Sequence, residues 1–186
     1  IPHKNLKEID GISLVGRAII TASNSKLINQ VYVTSDDNKI LLEAEKYSAI
    51  PLKRSKEASS DESSTEDALF DALDKLEQKN IIPEIFVYIQ CTSPFINSED
   101  IDKAINSLNR NKKIDTVFSA VESHVFLWGI ENNVGFGTNH DAYKQRERRQ
   151  DLKKTYREDG CFYGLRLERF KKTRNRFGTS ALPYLN

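Results

Sequence analysis

Methionine is missing from all 186 residues, the chain starts at Ile1, and cysteine occurs only twice. The first two absences set the expectation that these residues belong to a longer polypeptide. Two thiols, Cys91 and Cys161, are too few for a disulfide scaffold, and neither stands in a metal-ligand spacing. No apolar run approaches the roughly 20 residues needed to span a bilayer. The opening IPHKN has neither the basic start nor the apolar stretch of a secretory leader. These absences point to a cytoplasmic protein with no membrane partner. One-signed charge is lacking too: 28 Lys and Arg against 27 Asp and Glu leave +1, which argues against a nucleic-acid partner.

What is present suits one globular domain, with 38% apolar and 30% charged residues. Strand-like and helix-like segments alternate, the pattern of a parallel α/β sheet. The strand-like runs are Val31 to Thr34, Ala49 to Leu52, Ile85 to Ile89 and Thr116 to Val121. Between them, Ile40, Leu41, Ala44 and Tyr47 recur at helical spacing, as do Leu69, Ala72, Leu73 and Leu76, and Ile101, Ala104, Ile105 and Leu108. Ser63 with Glu66 reads as a capping box, and Ser98 as an N-cap. The near-continuous run IFVYI suits a central strand buried on both faces. The expected fold is an open, mostly parallel, doubly wound sheet.

From Glu122 this rhythm breaks. Residues 125–130 (VFLWGI) suit a strand, Gly135, Gly137 and Asn139 mark a loop, and a basic stretch runs from Lys144 to Arg157. Cys161 to Leu167 then resumes as a strand, and 168–175 reads as a short charged helix. The organisation expected is a core over 1–121, an excursion over 122–157 and a return to the core over 158–186.

In open α/β sheets, ligands sit at the carboxyl ends of the strands, where helix N-termini present free N–H groups. After the central strand comes Gln90-Cys91-Thr92-Ser93-Pro94, an abrupt change to hydrogen-bonding side chains that suits a polyhydroxyl ligand. Its plainer meaning is a strand end and a turn. Lys4 can neutralise phosphate as a point charge and Asn5 can read a base edge, though as a bare dipeptide they carry little weight. Arg54 follows a strand and suits a phosphate clamp or an ordinary surface charge equally. Arg146, Arg148 and Arg149 form the densest basic patch, a pattern that usually marks a solvated loop. Paired recognition of carboxylate or phosphate is a second meaning, and RNA contact a third, with only Tyr143 and Tyr156 as nearby aromatics. The three His residues (His3, His124 and His140) have no spacing that suggests a metal site or a base.

Taken in order, these segments resemble the acylneuraminate (CMP-sialic acid) cytidylyltransferase family. IPHKN resembles its Ile-Pro-x-Lys-Asn, VYVTSDD its strand ending Ser-Thr-Asp-Asp, and KRSKEASSDESST its nucleotide-contacting stretch. IQCTSPF resembles its Gln-Pro-Thr-Ser-Pro element, and RERRQDLKKTYREDGCFY its Arg-Pro-Arg-Arg-Gln-Asp…Tyr-x-x-Asn-Gly-x-x-Tyr. The resemblance runs from residue 1 to about 178 and implies a Rossmann-like nucleotidyltransferase fold with a protruding dimerisation arm at 122–157. It implies Lys4 and Arg149 as catalytic cations, with Lys4, Asn5, Arg54, Ser64 and Thr65 at the nucleotide. Gln90, Thr92, Ser93, Arg149, Asp159 and Tyr163 are implied at the sugar. Trp128 would pack in the arm, and Arg149 would serve the neighbouring subunit of a homodimer.

The implied chemistry is attack of the anomeric hydroxyl of a sialic-acid-like nine-carbon keto-acid sugar on the α-phosphate of CTP, releasing pyrophosphate. It needs alignment and neutralisation of charge by Mg²⁺, Lys and Arg, and no dedicated general base stands out. The family's phosphate loop is expected before Ile1 and its metal-ligating segment after Asn186. Asp159 replaces the family's Asn, exchanging a donor for an acceptor that repels a sugar carboxylate. Ser55 replaces its usual Pro. Legionaminic, pseudaminic or other acidic sugars, or a non-catalytic nucleotide-binding role, are the alternatives.

Overall fold

The computed structural model describes residues 3–146, 148 and 150–185. After a short 3₁₀ turn at Lys4–Leu6, a small hairpin pairs β1 (Glu8–Ile9) with β2 (Ile12–Ser13). The chain then alternates: α1 (Leu14–Ser23), β3 (Tyr32–Ser35), α2 (Asn38–Lys46), β4 (Ile50–Lys53), α3 (Thr65–Glu77), β5 (Ile85–Ile89), α4 (Ser98–Arg110) and β6 (Thr116–Ser123). A second hairpin, β7 (Trp128–Glu131) with β8 (Val134–Gly137), precedes β9 (Thr155–Arg166), α5 (Leu167–Thr173) and β10 (Ala181–Leu185).

The helices start where short polar side chains meet free backbone N–H groups. Ser13 caps α1 through Gly16, and Asp37 caps α2 through Lys39. The capping box of α3 is Ser64 with Asp67, one position beyond the expected Ser63 and Glu66. Glu66 is committed elsewhere: its carboxylate takes two hydrogen bonds from Arg176. Asn97, not Ser98, caps α4 by accepting from the Glu99 N–H. At the other end of α4, the buried Arg166 guanidinium donates to the Leu108 carbonyl, an acceptor the helix leaves open, and to the Ile114 carbonyl in the loop that follows.

Four strands form the larger sheet in the order β10-β6-β9-β5. This sheet is mixed rather than mostly parallel. β10 runs parallel to β6, but β9 is antiparallel to both β6 and β5, because it returns from the excursion as the far limb of a long hairpin with β6. Pairing continues outward to Ser123 opposite Thr155, so strand structure extends past the expected end at Val121 and begins well before Cys161.

Alternation along the strands feeds two cores, one on each face. On one face Phe86, Tyr88, Phe118, Tyr163 and Leu165 meet Leu69 and Leu73 of α3 and Leu167 and Phe170 of α5. On the other, Ile85, Val87, Ile89, Val117 and Phe162 meet Ile101, Ala104, Ile105 and Leu108 of α4. Helices on both faces make the layer order doubly wound. A third cluster joins Val15 and Ile19 of α1 to Ala44, Ala49 and Val33 around β3. β3 pairs in parallel with β4 alone, and β5 with β9 alone, among the described residues. No helix among them is long and apolar enough to cross a membrane.

Phe170 is 1% exposed, lies against Phe70 at 4.6 Å and meets the edge of Phe86 at 5.3 Å. Phe170→Ala is expected to reduce unfolding free energy by about 3–5 kcal/mol in urea denaturation. A loss under about 1 kcal/mol would mean that α5 does not anchor this core.

Candidate functional site

Between β3 and β5 lies a cleft of about 1090 Å³. Its apolar lining comes from Val33 of β3 and Val31 just before it, from Ile85, Val87 and Ile89 of β5, and from Leu69 and Leu73 of α3. Its rim at the carboxyl ends of the strands is polar. There the structure brings together Lys4, Asn5, Ser35, Asp36, Arg54, Gln90 and Thr92. Five of these, Lys4, Asn5, Arg54, Gln90 and Thr92, are expected nucleotide or sugar residues, drawn from widely separated parts of the chain.

Each is held differently. Lys4 and Asn5 sit in the 3₁₀ turn that precedes the first hairpin. The Asn5 Oδ1 atom is buried without a hydrogen-bond partner among the described residues, an unsatisfied acceptor at the rim. Arg54 lies across the end of β3, donating from its guanidinium to the Thr34 carbonyl at 2.9 Å. Cys91 lies close to Lys4: burial pushes its thiol up, and the Lys4 charge only partly opposes this. Burial also raises the Cys161 thiol. Neither cysteine is a ready thiolate nucleophile.

The other expected residues gather at a bulge in β9. Phe118 of β6 pairs with Tyr163, yet Ala120, two residues on, pairs with Glu158. Ser119 alone therefore faces the four residues 159–162, of which Phe162 still pairs with Ile89 of β5, so that 159–161 form the irregular part, a device common beside functional sites. Gly160 turns the bulge with φ +74°, and the Gln90 N–H donates to the Cys161 carbonyl at 3.0 Å. The Ser119 hydroxyl donates to Asp159 Oδ1 at 2.5 Å, and the Cys161 N–H donates to the same oxygen at 3.0 Å. Asp159 is thus fixed at the bulge, beside Gly160, which lies against the Gln90 side chain. Ser93 is held at this corner by its backbone N–H, which donates to the Gln90 carbonyl at 3.1 Å.

Three expectations land elsewhere. Tyr163 is 1% exposed and its ring is packed in the core, with its hydroxyl donating to Glu158, so it reaches no ligand directly. Ser64 and Thr65 open α3 and do not line the cleft; the Ser64 hydroxyl is occupied by Asp67. Arg149 lies outside the described residues. Within the basic stretch, Arg146 stacks on Phe126 at 4.5 Å and Arg148 pairs with Asp151 at 2.7 Å. Among the described residues no group of three His, Cys, Asp or Glu side chains is placed to hold a metal. No local motif marks Glu158 or Arg176, and Glu66 was expected only in a capping box.

A methyl group added to Gly160 would lie 3.0 Å from Gln90 Oε1. Gly160→Ala is expected to destabilise the fold by about 1–2 kcal/mol, because φ is positive, and to shift the Gln90 side-chain amide signals in NMR spectra. Unmoved Gln90 signals would mean that the bulge does not support that side chain.

A family model described as "Cytidylyltransferase" matches residues 1–179. N-acylneuraminate cytidylyltransferase A of Danio rerio is 31% identical over 166 residues, covering 88% of this chain but 37% of that protein. Pseudaminic acid cytidylyltransferase of Campylobacter jejuni (strain 81-176) is 30% identical over 169 residues, covering 88% of this chain and 71% of its own length. Among solved structures, a CMP:2-keto-3-deoxy-manno-octonic acid synthetase complexed with CTP superposes with a TM-score of 0.69 at 13% identity, over 100% of this chain and 85% of that one. A 4-diphosphocytidyl-2C-methyl-D-erythritol synthase from Anaerococcus prevotii gives 0.62 at 16% identity, over 95% and 78%. These two likenesses identify the fold as that of the nucleotidyltransferases. With one family model spanning nearly the whole sequence and relatives of about the same identity in a fish and a bacterium, this chain belongs to the cytidylyltransferase family.

Proposed function

We propose that the protein transfers CMP from CTP to the anomeric hydroxyl of a nine-carbon keto-acid sugar, giving a CMP-sugar and pyrophosphate. The observation that carries this reading is the convergence of Lys4, Asn5, Arg54, Gln90 and Thr92 on one polar rim at the carboxyl ends of β3 and β5. In the reaction, the sugar oxygen forms a bond to the α-phosphorus while the bond from that phosphorus to the bridging oxygen of the β-phosphate breaks. Pyrophosphate leaves, and the hydroxyl proton passes to solvent. The ammonium of Lys4 opposes the charge that spreads over the phosphates. Gln90, with a donor and an acceptor, and the Thr92 hydroxyl hold sugar hydroxyls, while Arg54 stays by the base or phosphates.

Sialic and pseudaminic acids are the leading substrates, because relatives named for each match at 31% and 30% identity. Asp159 at the bulge, in place of an Asn, favours a sugar that meets this corner with a hydroxyl or an amide N–H rather than with its carboxylate. Mg²⁺ is part of the proposal as a counter-charge to the phosphates. The described side chains form no site for it, so no step is routed through it.

A homodimer through 122–157 is also proposed. Its supporting observation is the apolar surface there: Leu127, Trp128, Ile130 and Val134 are all more than half exposed. Ile130, at 81% exposure on β7, is the residue to change. Ile130→Glu is expected to shift the protein from dimer to monomer in sedimentation measurements, and an unchanged mass would reject this face as the interface.

The activity itself is tested by pyrophosphate release from the full-length protein with CTP, Mg²⁺ and a panel of nine-carbon keto-acid sugars. Release that requires both CTP and one sugar is the expected result, with Lys4→Ala lowering kcat/KM by about 100-fold. CTP binding without turnover on any sugar would favour a non-catalytic nucleotide-binding relative.

A further inference from the structure

We propose that Arg176, Tyr163 and Glu158 act with Glu66 as positioning residues, tying the start of α3 to the β9 bulge and setting the shape of the corner that holds Asp159. This inference rests on the function proposed above for its kinetic part only.

The bulge has a neck. Glu158 is the last β9 residue paired with β6 on one side of it, opposite Ala120, and Tyr163 the first on the other side, opposite Phe118. The Tyr163 hydroxyl donates to Glu158 Oε1, so one hydrogen bond closes the neck across residues 159–162. A neutral phenol is required for that donation, and burial together with the Glu158 carboxylate raises the Tyr163 pKa far above its ordinary value.

The clamp works because the Tyr163 ring cannot move. It is stacked with Tyr88 at 5.8 Å and with Phe118 at 6.5 Å, and meets the edge of Phe177 at 6.0 Å. The Arg176 guanidinium lies over the same ring, 5.3 Å from its centre. Arg176 also donates through Nε to Glu66 Oε1 at 2.8 Å and through a terminal nitrogen to Oε2 at 3.2 Å, the two-pronged geometry that fixes both partners. Only 20% and 21% of the two side chains are exposed. Burial would push the Glu66 carboxyl up, but hydrogen bonds and charge from Arg176 outweigh it and hold the carboxyl below its usual range.

Glu66 is the second residue of α3, directly after Thr65. A continuous chain of contacts thus runs from Thr65 and Glu66 through Arg176 and Tyr163 to Glu158 and Asp159. None of the four named residues lines the cleft. They act through what they hold.

The test separates this role from simple packing. Tyr163→Phe keeps the stacked ring and removes only the hydroxyl, while Arg176→Lys keeps the charge and loses the two-pronged bond. For each variant of the full-length protein, KM for CTP, KM for the sugar and the backbone amide signals of Thr65 and Gly160 would be measured. Tyr163→Phe is expected to raise the sugar KM by about tenfold, leave the CTP KM within about twofold, and move the Gly160 signal but not Thr65. Arg176→Lys is expected to move both signals and raise both KM values. Folded variants with unmoved Thr65 and Gly160 signals would overturn the proposal, as would unchanged KM values for both substrates. Should the unaltered protein show no CMP transfer, the function proposed above would fall. The amide signals would still decide this inference.

Discussion

Ser119 stands alone on β6 opposite four residues of β9, and its hydroxyl serves both ends of that mismatch. It donates to Asp159 and accepts the Phe162 N–H at 3.0 Å, although it is only 1% exposed. Without that oxygen, a buried N–H would lose its partner inside the core, a penalty of about 1–3 kcal/mol. The bulge thus gives both the Ser119 hydroxyl and the buried Phe162 N–H a partner. Around it, β9 holds β5 on one side and β6 on the other, and Gly160 is brought against Gln90. The sheet, the corner of the cleft and the direction of the 122–157 excursion all depend on this one accommodation.

Much of the α/β core was readable because strand alternation and helical spacing are local. The strand runs and the apolar faces of α2, α3 and α4 lie where their side-chain patterns put them, but Ile85–Ile89, expected as a central strand buried on both faces, is half-buried and pairs with β9 alone among the described residues. α1 escaped notice: LVGRAIITAS carries a glycine and several β-branched residues, poor helix formers that packing against α2 overrides. β10 escaped for another reason. Pro183 argues against a strand, yet β10 is at the edge of its sheet, where a missing N–H is tolerated. The caps of α3 and α4 were misplaced by one residue, because adjacent Ser, Asn and acidic residues offer two equivalent readings. What broke the tie at α3 was a partner 110 residues away, Arg176.

The same distinction separates the site residues. Lys4, Arg54, Gln90 and Thr92 end strands or precede elements, so position along the chain indicated where they would gather. The placement of Tyr163 depends on Tyr88, Phe118, Phe177 and Arg176, none of them neighbours in sequence. Motif resemblance identified that tyrosine as important but assigned it a ligand, whereas its surroundings assign it a carboxylate, Glu158.

Asp102 of α4 ties that helix to the loop just after α1, accepting from the Ser25 hydroxyl and from the N–H groups of Lys26 and Leu27. Burial would push the Asp102 carboxyl up, but those hydrogen bonds outweigh it and hold the carboxyl below its usual range. A carboxylate held down in this way contributes stability above its unfolded pKa and loses it as pH falls. Acid would therefore loosen the tie between α1 and α4 as Asp102 takes up its proton.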